Sequence, residues 1–299
     1  MNSNPLLCNP DSGICEIPDT NFNELGNTTI DVKDKVKILY FTDPICSSCW
    51  GIEPQLRKLK LEYGQSIEIE YHMGGLLPNW SYNNGGINKP SDVASHWDEV
   101  SVYYQMPIDG DIWLIDPLHS SYPPSIAFKA AQLQDNNKAL SFLRKMREMV
   151  FLQKKNICKW ENLSYAANQC QLDTTKLKTD YESTAIIDFQ VDLKLAAQLG
   201  IRGFPTLIFR NNKNQEQIIY GFKPYQDFEK AILMLNPEAK KQEYNKNELF
   251  DYHLSYTAKE YSILKDISMN EAENELQKYS TLKVIKTKNG NLWFKENVK

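Results

Sequence analysis

The chain of 299 residues has no apolar run that approaches the length of a membrane-spanning helix. Its first residues, MNSNPLLCNPDSG, lack the positive cluster followed by an apolar stretch that marks a secretory signal. We therefore expect a cytoplasmic protein without a membrane partner. Positive charge is not in excess either, because 34 Lys and Arg stand against 38 Asp and Glu. A nucleic-acid partner is therefore not predicted.

Sequence signals for a bound cofactor are also missing. No Gly-rich loop stands between a strand and a helix, where a nucleotide phosphate would bind. The carboxylates show no paired arrangement, and the four histidines lack the spacing of metal ligands. We expect ordinary structural roles for these histidines, with His72 as a candidate for lining a site. The sequence predicts neither a metal site nor an organic cofactor.

Cysteine is scarce, with six residues in the chain. A chain of this length can bury a core large enough to be stable without disulfide bonds. In a cytoplasmic protein such cysteines are more often redox-active, metal-binding or buried than part of a disulfide framework. Cys158 and Cys170 fall in a helical region and are expected to be packed. Cys8 and Cys15 bracket a turn-rich hexapeptide that would let the two sulfurs meet. They are either unreactive thiols on a loose arm or an accessory dithiol, or metal clip, that docks near the active site.

Hydrophobic periodicity divides the chain into four parts, one of them an α/β domain split by a helical insertion. The parts are a polar arm (1–34), the α/β domain (35–89 and 200–236), an inserted all-helical domain (90–199) and a C-terminal module (246–299). The α/β domain is predicted to have strands at 36–41, 67–72, 206–209 and 217–220 and a last helix at 225–235. A helix that Gly64 ends is expected after the first strand.

The C-terminal module has signals for two short helices and a hairpin. Thr257 with Glu260, and Ser268 with Glu271, have the spacing of a helix-capping box. An Asn-Gly pair between two later apolar segments predicts a tight hairpin turn. This order is that of a winged helix-turn-helix, but its second helix is acidic and would repel DNA phosphates. We expect the module to contact protein or to be structural.

Two of the cysteines stand in the stretch FTDPICSSCWG, where a strand ends before Pro44 and a helix is predicted to begin near Cys46. A helix N-terminus lowers the pKa of a thiol because its unpaired N–H groups and positive dipole face the sulfur. Cys49 lies one turn further, close enough to attack a disulfide formed on Cys46. The spacing predicts a redox pair. Two packed thiols, or half of a zinc site, stay open as alternatives.

The context of this pair resembles the DsbA-like branch of the thioredoxin superfamily, over residues 35–236. Within that branch the chain is similar to FrnE-like dithiol-disulfide isomerases and to SpxH-type adapter proteins of the Clp protease system. The tail that ends in NGNLWF resembles the adapters in particular. The segments that carry the resemblance are FTDPICSSCWGIEPQLRKLKLEYG, YPPSIAFKAAQLQ, FLRKMREMVFLQKKNI and GIRGFPTLIF.

The resemblance implies a thioredoxin-like α/β fold with a large all-helical insertion and a small C-terminal winged-helix-like module. It also implies Cys46 as the nucleophile and Cys49 as the resolving thiol. Phe204 and Pro205 would form a substrate-facing loop with a cis X-Pro bond. Trp50, next to the pair, is our third candidate for a substrate-facing residue.

The expected function is that of a cytoplasmic thiol-disulfide oxidoreductase or isomerase that acts on protein or small disulfides without an organic cofactor. Ser47-Ser48 lacks the His of strongly oxidising secreted members, so we expect a milder reduction potential. The alternative is an adapter that presents a regulatory partner to a Clp-type protease, with the dithiol as a switch or a relic. A protein partner could then be contacted through the C-terminal module.

Overall fold

The computed structural model of the protein describes residues 13, 15–16, 35–82 and 89–296. Among these ranges, no helix is both long enough and apolar enough to cross a membrane. The strands are β1 (Cys15–Glu16), β2 (Val36–Thr42), β3 (Ile67–Met73), β4 (Gly203–Phe204), β5 (Thr206–Arg210), β6 (Glu216–Tyr220), β7 (Ser255–Thr257), β8 (Lys283–Thr287) and β9 (Gly290–Phe294). The helices up to the end of the helical block are α1 (Ser47–Gly51), α2 (Glu53–Tyr63), α3 (Ser91–Tyr104), α4 (Ile112–Ile115), α5 (Tyr122–Gln132), α6 (Asn136–Leu152), α7 (Trp160–Gln169), α8 (Thr174–Tyr181) and α9 (Thr184–Gln198). The later helices are α10 (Tyr225–Leu235), α11 (Leu249–Tyr252), α12 (Ala258–Lys265) and α13 (Met269–Lys278), and a 3₁₀ turn lies at Trp80–Tyr82.

A four-stranded sheet with the order β3, β2, β5, β6 forms the centre of the α/β part. β2 runs parallel to β3 and antiparallel to β5, and β5 is antiparallel to β6. Every residue of β2 except Lys37 is buried, as expected for a strand covered on both faces. The four strands predicted for this part of the chain are confirmed.

The helix that follows β2 is divided into α1 and α2, and this corrects our expectation of a single helix. α1 ends at Gly51 and α2 begins at Glu53, with Pro54 in its first turn. Proline has no N–H, and its ring clashes with the carbonyl four residues earlier, here that of Trp50. The proline therefore breaks the helix one turn after the cysteines. Gly64 caps α2, as predicted.

The region 90–199 is helical from α3 to α9, as predicted. Buried apolar side chains of the sheet and of these helices form one continuous cluster. The predicted α/β fold with a large helical content is thus confirmed. The division into separate domains stays our proposal, since the two parts share their core. Cys8 lies outside the described residues, as does most of the predicted arm.

The C-terminal module has its own apolar cluster. Both predicted capping boxes are present, at the starts of α12 and α13. The predicted hairpin is formed by β8 and β9, and β7 adds a third strand beside β9. Sequence patterns did not predict β7, because a strand of three residues is too short for a periodic signal. The likeness to a winged helix-turn-helix stays a prediction.

Candidate functional site

Cys46 is the N-terminal cap of α1, directly after the turn that follows β2. Its backbone is extended (φ −75°, ψ 110°), and its sulfur accepts a hydrogen bond from the Cys49 N–H at 3.1 Å. The first helical turn therefore directs a backbone donor at this sulfur. The predicted helix start at Cys46 is confirmed, whereas the chemical roles of both cysteines stay predictions.

The two thiol side chains are fully buried, with 0% of their surface exposed. Burial raises the pKa of the Cys46 thiol well above its usual value, and the neighbouring Cys49 adds to the rise. Burial also opposes ionisation of Cys49, but its hydrogen bond with Cys46 and the charge of Arg147 outweigh this effect and lower its pKa. Burial thus disfavours the thiolate of Cys46, whereas the charge of Arg147 favours the thiolate of Cys49.

Arg147 of α6 is the buried cation beside the pair. It donates to Thr42 Oγ1 at 2.6 Å and to the Asp43 carbonyl at 3.3 Å, and it forms an ion pair with Glu53. It thus ties the end of β2 to the start of α2, on either side of the cysteines. Sequence reasoning missed this residue. Its position four residues after the buried Leu143, on the apolar face of a predicted helix, was the available signal.

Asp43 fixes the turn that precedes Cys46. Its carboxylate oxygens accept the Ile45 N–H at 3.0 Å and the Leu76 N–H at 2.8 Å. Burial raises the pKa of Asp43 to about 6, although both backbone hydrogen bonds act in the opposite direction. This carboxyl group therefore joins the dithiol turn to the loop after β3, and it titrates near neutral pH.

The opposing loop contains the cis Phe204–Pro205 peptide bond, as the resemblance implied. The Pro205 carbonyl accepts the Gly221 N–H at 2.8 Å. The Phe204 ring is buried against Gly74, where a Cβ atom would lie only 1.8 Å from the ring carbon Cζ. The side chain of Phe204 therefore faces the core. Its predicted substrate-facing role can apply only to its backbone.

Trp50 is fully buried and has structural contacts. Its Nε1–H donates to the Pro107 carbonyl at 3.0 Å, and its ring stacks on Phe151 with centroids 5.6 Å apart. These contacts are those of a core residue. Its predicted contact with a substrate stays a prediction that requires the site to open.

Tyr104 of α3 packs directly on α1. Its hydroxyl lies 2.6 Å from Ser48 Oγ, within the dipeptide between the two cysteines. A Cβ atom at Gly51 would lie 2.6 Å from the Tyr104 ring, so a glycine is needed for this close approach. On its other side the ring is 5.1 Å from that of Phe222. Tyr104 therefore connects the dithiol helix with the residues after β6, a contact that sequence reasoning did not predict.

The remaining cysteines have different surroundings. Cys158 is partly buried, and its thiol donates to the Ser120 carbonyl at 2.8 Å. Burial raises the pKa of the partly buried Cys170 to about 12. Only the backbone of Cys15 is described, in β1, so an accessory dithiol of Cys8 and Cys15 stays a prediction. Within the described ranges, no three His, Cys, Asp or Glu side chains cluster in a way that could hold a metal ion.

A buried ionic network connects the site with the C-terminal module. The guanidinium carbon of Arg144 lies 4.4 Å from the Trp50 ring centre, and the same group binds both carboxylate oxygens of Glu260 at 2.6 and 3.1 Å. Arg57 of α2 lies 3.2 Å from Glu260 and donates to the Ser255 carbonyl at 2.7 Å. Since Glu260 is fully buried, this network fixes the module against α2 and α6.

Comparisons of the sequence with known proteins show which family the chain resembles. A sequence model of the thioredoxin family, described as Thioredoxin, matches residues 39–230. The chain is 34% identical to the ClpXP adapter protein SpxH of Halalkalibacterium halodurans over 305 aligned residues, which cover 97% of each chain. It is 31% identical to the ClpXP adapter protein SpxH of Bacillus subtilis over 271 residues, which cover 87% of this chain and 89% of that protein.

A solved structure has a similar fold. The cytosolic disulfide reductase DsbM from Pseudomonas aeruginosa superimposes with a TM-score of 0.54 and 20% sequence identity. The superposition covers 67% of this chain and 99% of that protein. At this identity the similarity shows a shared fold and nothing about activity.

Proposed function

The chain belongs to the thioredoxin family, in the DsbA-like branch that contains the SpxH-type adapters, and from this we propose that it presents a client protein to the ClpXP protease. The observation that carries the proposal is the extent of the similarity to those adapters. It spans 97% of both chains and therefore includes the C-terminal module, which lies beyond the thioredoxin match at 39–230. We place this action in the cytoplasm.

The closed state of the dithiol supports binding over turnover. Cys46 and Cys49 are both fully buried, and burial raises the pKa of the Cys46 thiol. A reactive cysteine needs an accessible thiolate. An adapter needs only a surface that holds its client, and it can retain this fold without catalysing disulfide exchange.

The C-terminal module offers a surface for such a contact. A groove of about 400 Å³ lies between α13 and the β8–β9 hairpin. Tyr279 and Val284 line this groove, and each has 39% of its surface exposed. Half-exposed apolar side chains around a groove are suited to a protein partner. We assign this groove to contact with the client or with the protease.

Thiol-disulfide exchange is the second candidate function, supported by the Cys46 cap and the cis Phe204–Pro205 loop. In this reaction the Cys46 thiolate attacks a substrate disulfide and forms a mixed disulfide, releasing one substrate thiol. Cys49 then attacks the Cys46 sulfur and releases the second substrate thiol. The substrate is reduced, and the protein is left with a Cys46–Cys49 disulfide, which a thiol reductant must reduce to restore the dithiol.

Reconstituted proteolysis tests the adapter proposal. Client proteins would first be identified as those whose half-life in cells lengthens when this chain is removed. Each would then be incubated with purified ClpXP, with and without the full-length chain. We expect the chain to accelerate degradation of at least one client several-fold, and to leave a ClpXP substrate that needs no adapter unaffected. If no client is degraded faster, the adapter proposal is wrong.

A disulfide-reduction assay tests the second candidate separately. Wild type, Cys46→Ser and Cys158→Ser would be compared in the reduction of a protein disulfide by a thiol reductant. Cys158→Ser is the matched control because this partly buried thiol lies outside the candidate pair. Turnover that is lost only in Cys46→Ser supports the enzyme. Equal background rates in all three proteins would exclude it.

A further inference from the structure

The chain places a strand of its own N-terminal region beside the dithiol loop. β1 pairs antiparallel with β4, with Cys15 opposite Phe204 and Glu16 opposite Gly203. β4 ends at the residue before the cis Pro205, and the next residue, Thr206, pairs with Phe41 at the end of β2, just before the turn that carries the dithiol. Among the described residues β4 pairs with β1 alone. The backbone edge next to the dithiol is therefore occupied from within the chain.

A second contact anchors the same segment. The Gly13 carbonyl accepts the Phe222 N–H at 3.0 Å. Gly13 is buried and has a φ of +66°, and a Cβ atom there would lie 2.4 Å from Phe222 Cβ and 2.7 Å from its backbone nitrogen. Only glycine fits both the positive φ and this close approach. Phe222 in turn packs on Tyr104, whose hydroxyl forms a hydrogen bond with the Ser48 hydroxyl between the cysteines.

A strand of two residues binds weakly. It contributes few ladder hydrogen bonds, and the residues that hold it can open with a free energy well below that of global unfolding. The edge that it covers has unpaired N–H and C=O groups when it is absent, and such an edge pairs readily with any extended peptide. The docked segment is therefore able to exchange with a competing strand.

We propose that the segment containing Gly13 and β1 is an internal ligand of the β4 edge, and that an extended strand of the client protein binds there by displacing it. The identity of this occupant rests on the adapter function proposed above. The geometry also defines its chemistry. The occupant would be an unfolded or extended segment with a glycine two positions before the paired strand, as Gly13 stands two positions before Cys15. Client capture and internal docking are mutually exclusive.

The test measures binding of a peptide in trans to the full-length protein. The probe is a fluorescent peptide with the sequence of residues 11–18 in which Cys15 is replaced by serine, so that no disulfide can form. Wild type is compared with Gly13→Ala and Gly200→Ala. Both glycines have a φ of +66°, but an added Cβ meets Phe222 at position 13 and nothing within 4 Å at position 200.

We expect Gly13→Ala to bind the peptide about tenfold more tightly than wild type, since alanine at this φ and against Phe222 undocks the internal segment. Gly200→Ala should bind like wild type. A peptide in which valine replaces the glycine should bind to none of the three proteins. Hydrogen exchange at the Phe222 amide, which donates to the Gly13 carbonyl in wild type, should accelerate in Gly13→Ala.

Equal peptide affinity in wild type and Gly13→Ala would overturn the proposal, as would release of the segment without any peptide binding. Unchanged exchange at the Phe222 amide in Gly13→Ala would overturn it as well, because the docking of the segment would then not depend on Gly13. None of these assays contains a protease. A chain that binds the peptide but accelerates no degradation would therefore disprove the adapter function, and with it the client as the occupant, but would leave the exchange of the internal segment for an extended peptide in place.

Discussion

The buried guanidinium group of Arg147 places a positive charge beside the two thiols. Burial acts to lower the pKa of Arg147, but the nearby Tyr40, Glu53 and cysteine thiols act in the opposite direction and more strongly, so it is held charged. The charge favours the thiolate of Cys49, and the guanidinium hydrogen bonds hold the end of β2 in place. At the scale of single residues, this arginine therefore links the stability of the fold with the ionisation of the dithiol.

Replacing Arg147 tests this link. In Arg147→Met we expect the free energy of unfolding to fall by about 3 kcal/mol, because Glu53 loses the partner of a largely buried ion pair. The pKa of Cys49 should rise, since the charge that lowers it is gone. Urea unfolding and the ultraviolet absorbance of thiolate as a function of pH measure the two effects. Arg147→Lys keeps the charge and should shift the Cys49 titration less. A Met variant that titrates like wild type would contradict this assignment.

Asp43 predicts a pH dependence of stability. Burial raises its pKa from 3.8 to about 6, so the folded protein holds this proton more strongly than the unfolded chain does. The resulting stabilisation is present below the unfolded pKa and is lost as the pH rises through about 6, a change of about 3 kcal/mol. Urea unfolding of wild type and Asp43→Asn, between about pH 4 and pH 7, measures it. As the pH rises over this range, the free energy of unfolding of wild type should fall relative to that of Asp43→Asn. Parallel pH profiles would show that Asp43 is not the group responsible.

At the scale of secondary structure elements, two helices of the C-terminal module begin with the same capping motif in different surroundings. Glu260 at the start of α12 is buried and binds Arg57 and Arg144, whereas Glu271 at the start of α13 is exposed. Each carboxylate accepts the N–H of its own cap residue. The first motif therefore positions the whole module, and the second stabilises only its own helix.

This difference predicts unequal effects of the same substitution. Gln is also accepted at this position of a capping box, so Glu260→Gln and Glu271→Gln both keep the cap and remove only the charge. Glu260→Gln should lower the free energy of unfolding by about 3–5 kcal/mol, since the carboxylate that two buried guanidinium groups share loses its charge. Glu271→Gln should have little effect. Urea unfolding of the two variants compares them directly, and similar destabilisation would refute a special role for Glu260.

At the scale of the whole molecule, patterns that repeat along the chain predicted the secondary structure. Contacts between segments that are distant in sequence could not be predicted from them. The central strands, the helical block, both capping boxes and the helix start at Cys46 follow from local periodicity and spacing. The roles of Arg147 and Tyr104 depend on how α6 and α3 pack on the dithiol helix, and no local pattern encodes that packing. β1 was missed for a related reason, because a strand of two residues exists only through its partner.

The same contrast applies to function. The motif around Cys46 and Cys49 predicted disulfide chemistry, because a dithiol at a helix start is the arrangement that such chemistry needs. Sequence alone could not predict that both thiols are fully buried. It also gave no sign that Arg144 and Glu260 connect the neighbouring Trp50 with the C-terminal module. These features are the structural support for the adapter function that we propose.

The central claim is that the chain acts by binding a client and not by exchanging disulfides. The most direct test is the rate of client degradation by ClpXP at increasing concentrations of the chain, under reducing conditions, for wild type and for a double variant with Cys46→Ser and Cys49→Ser. We predict saturable acceleration with the same maximum in both proteins. Acceleration that disappears in the double variant, while its fold and client binding are retained, would contradict the claim and assign the function to the thiols.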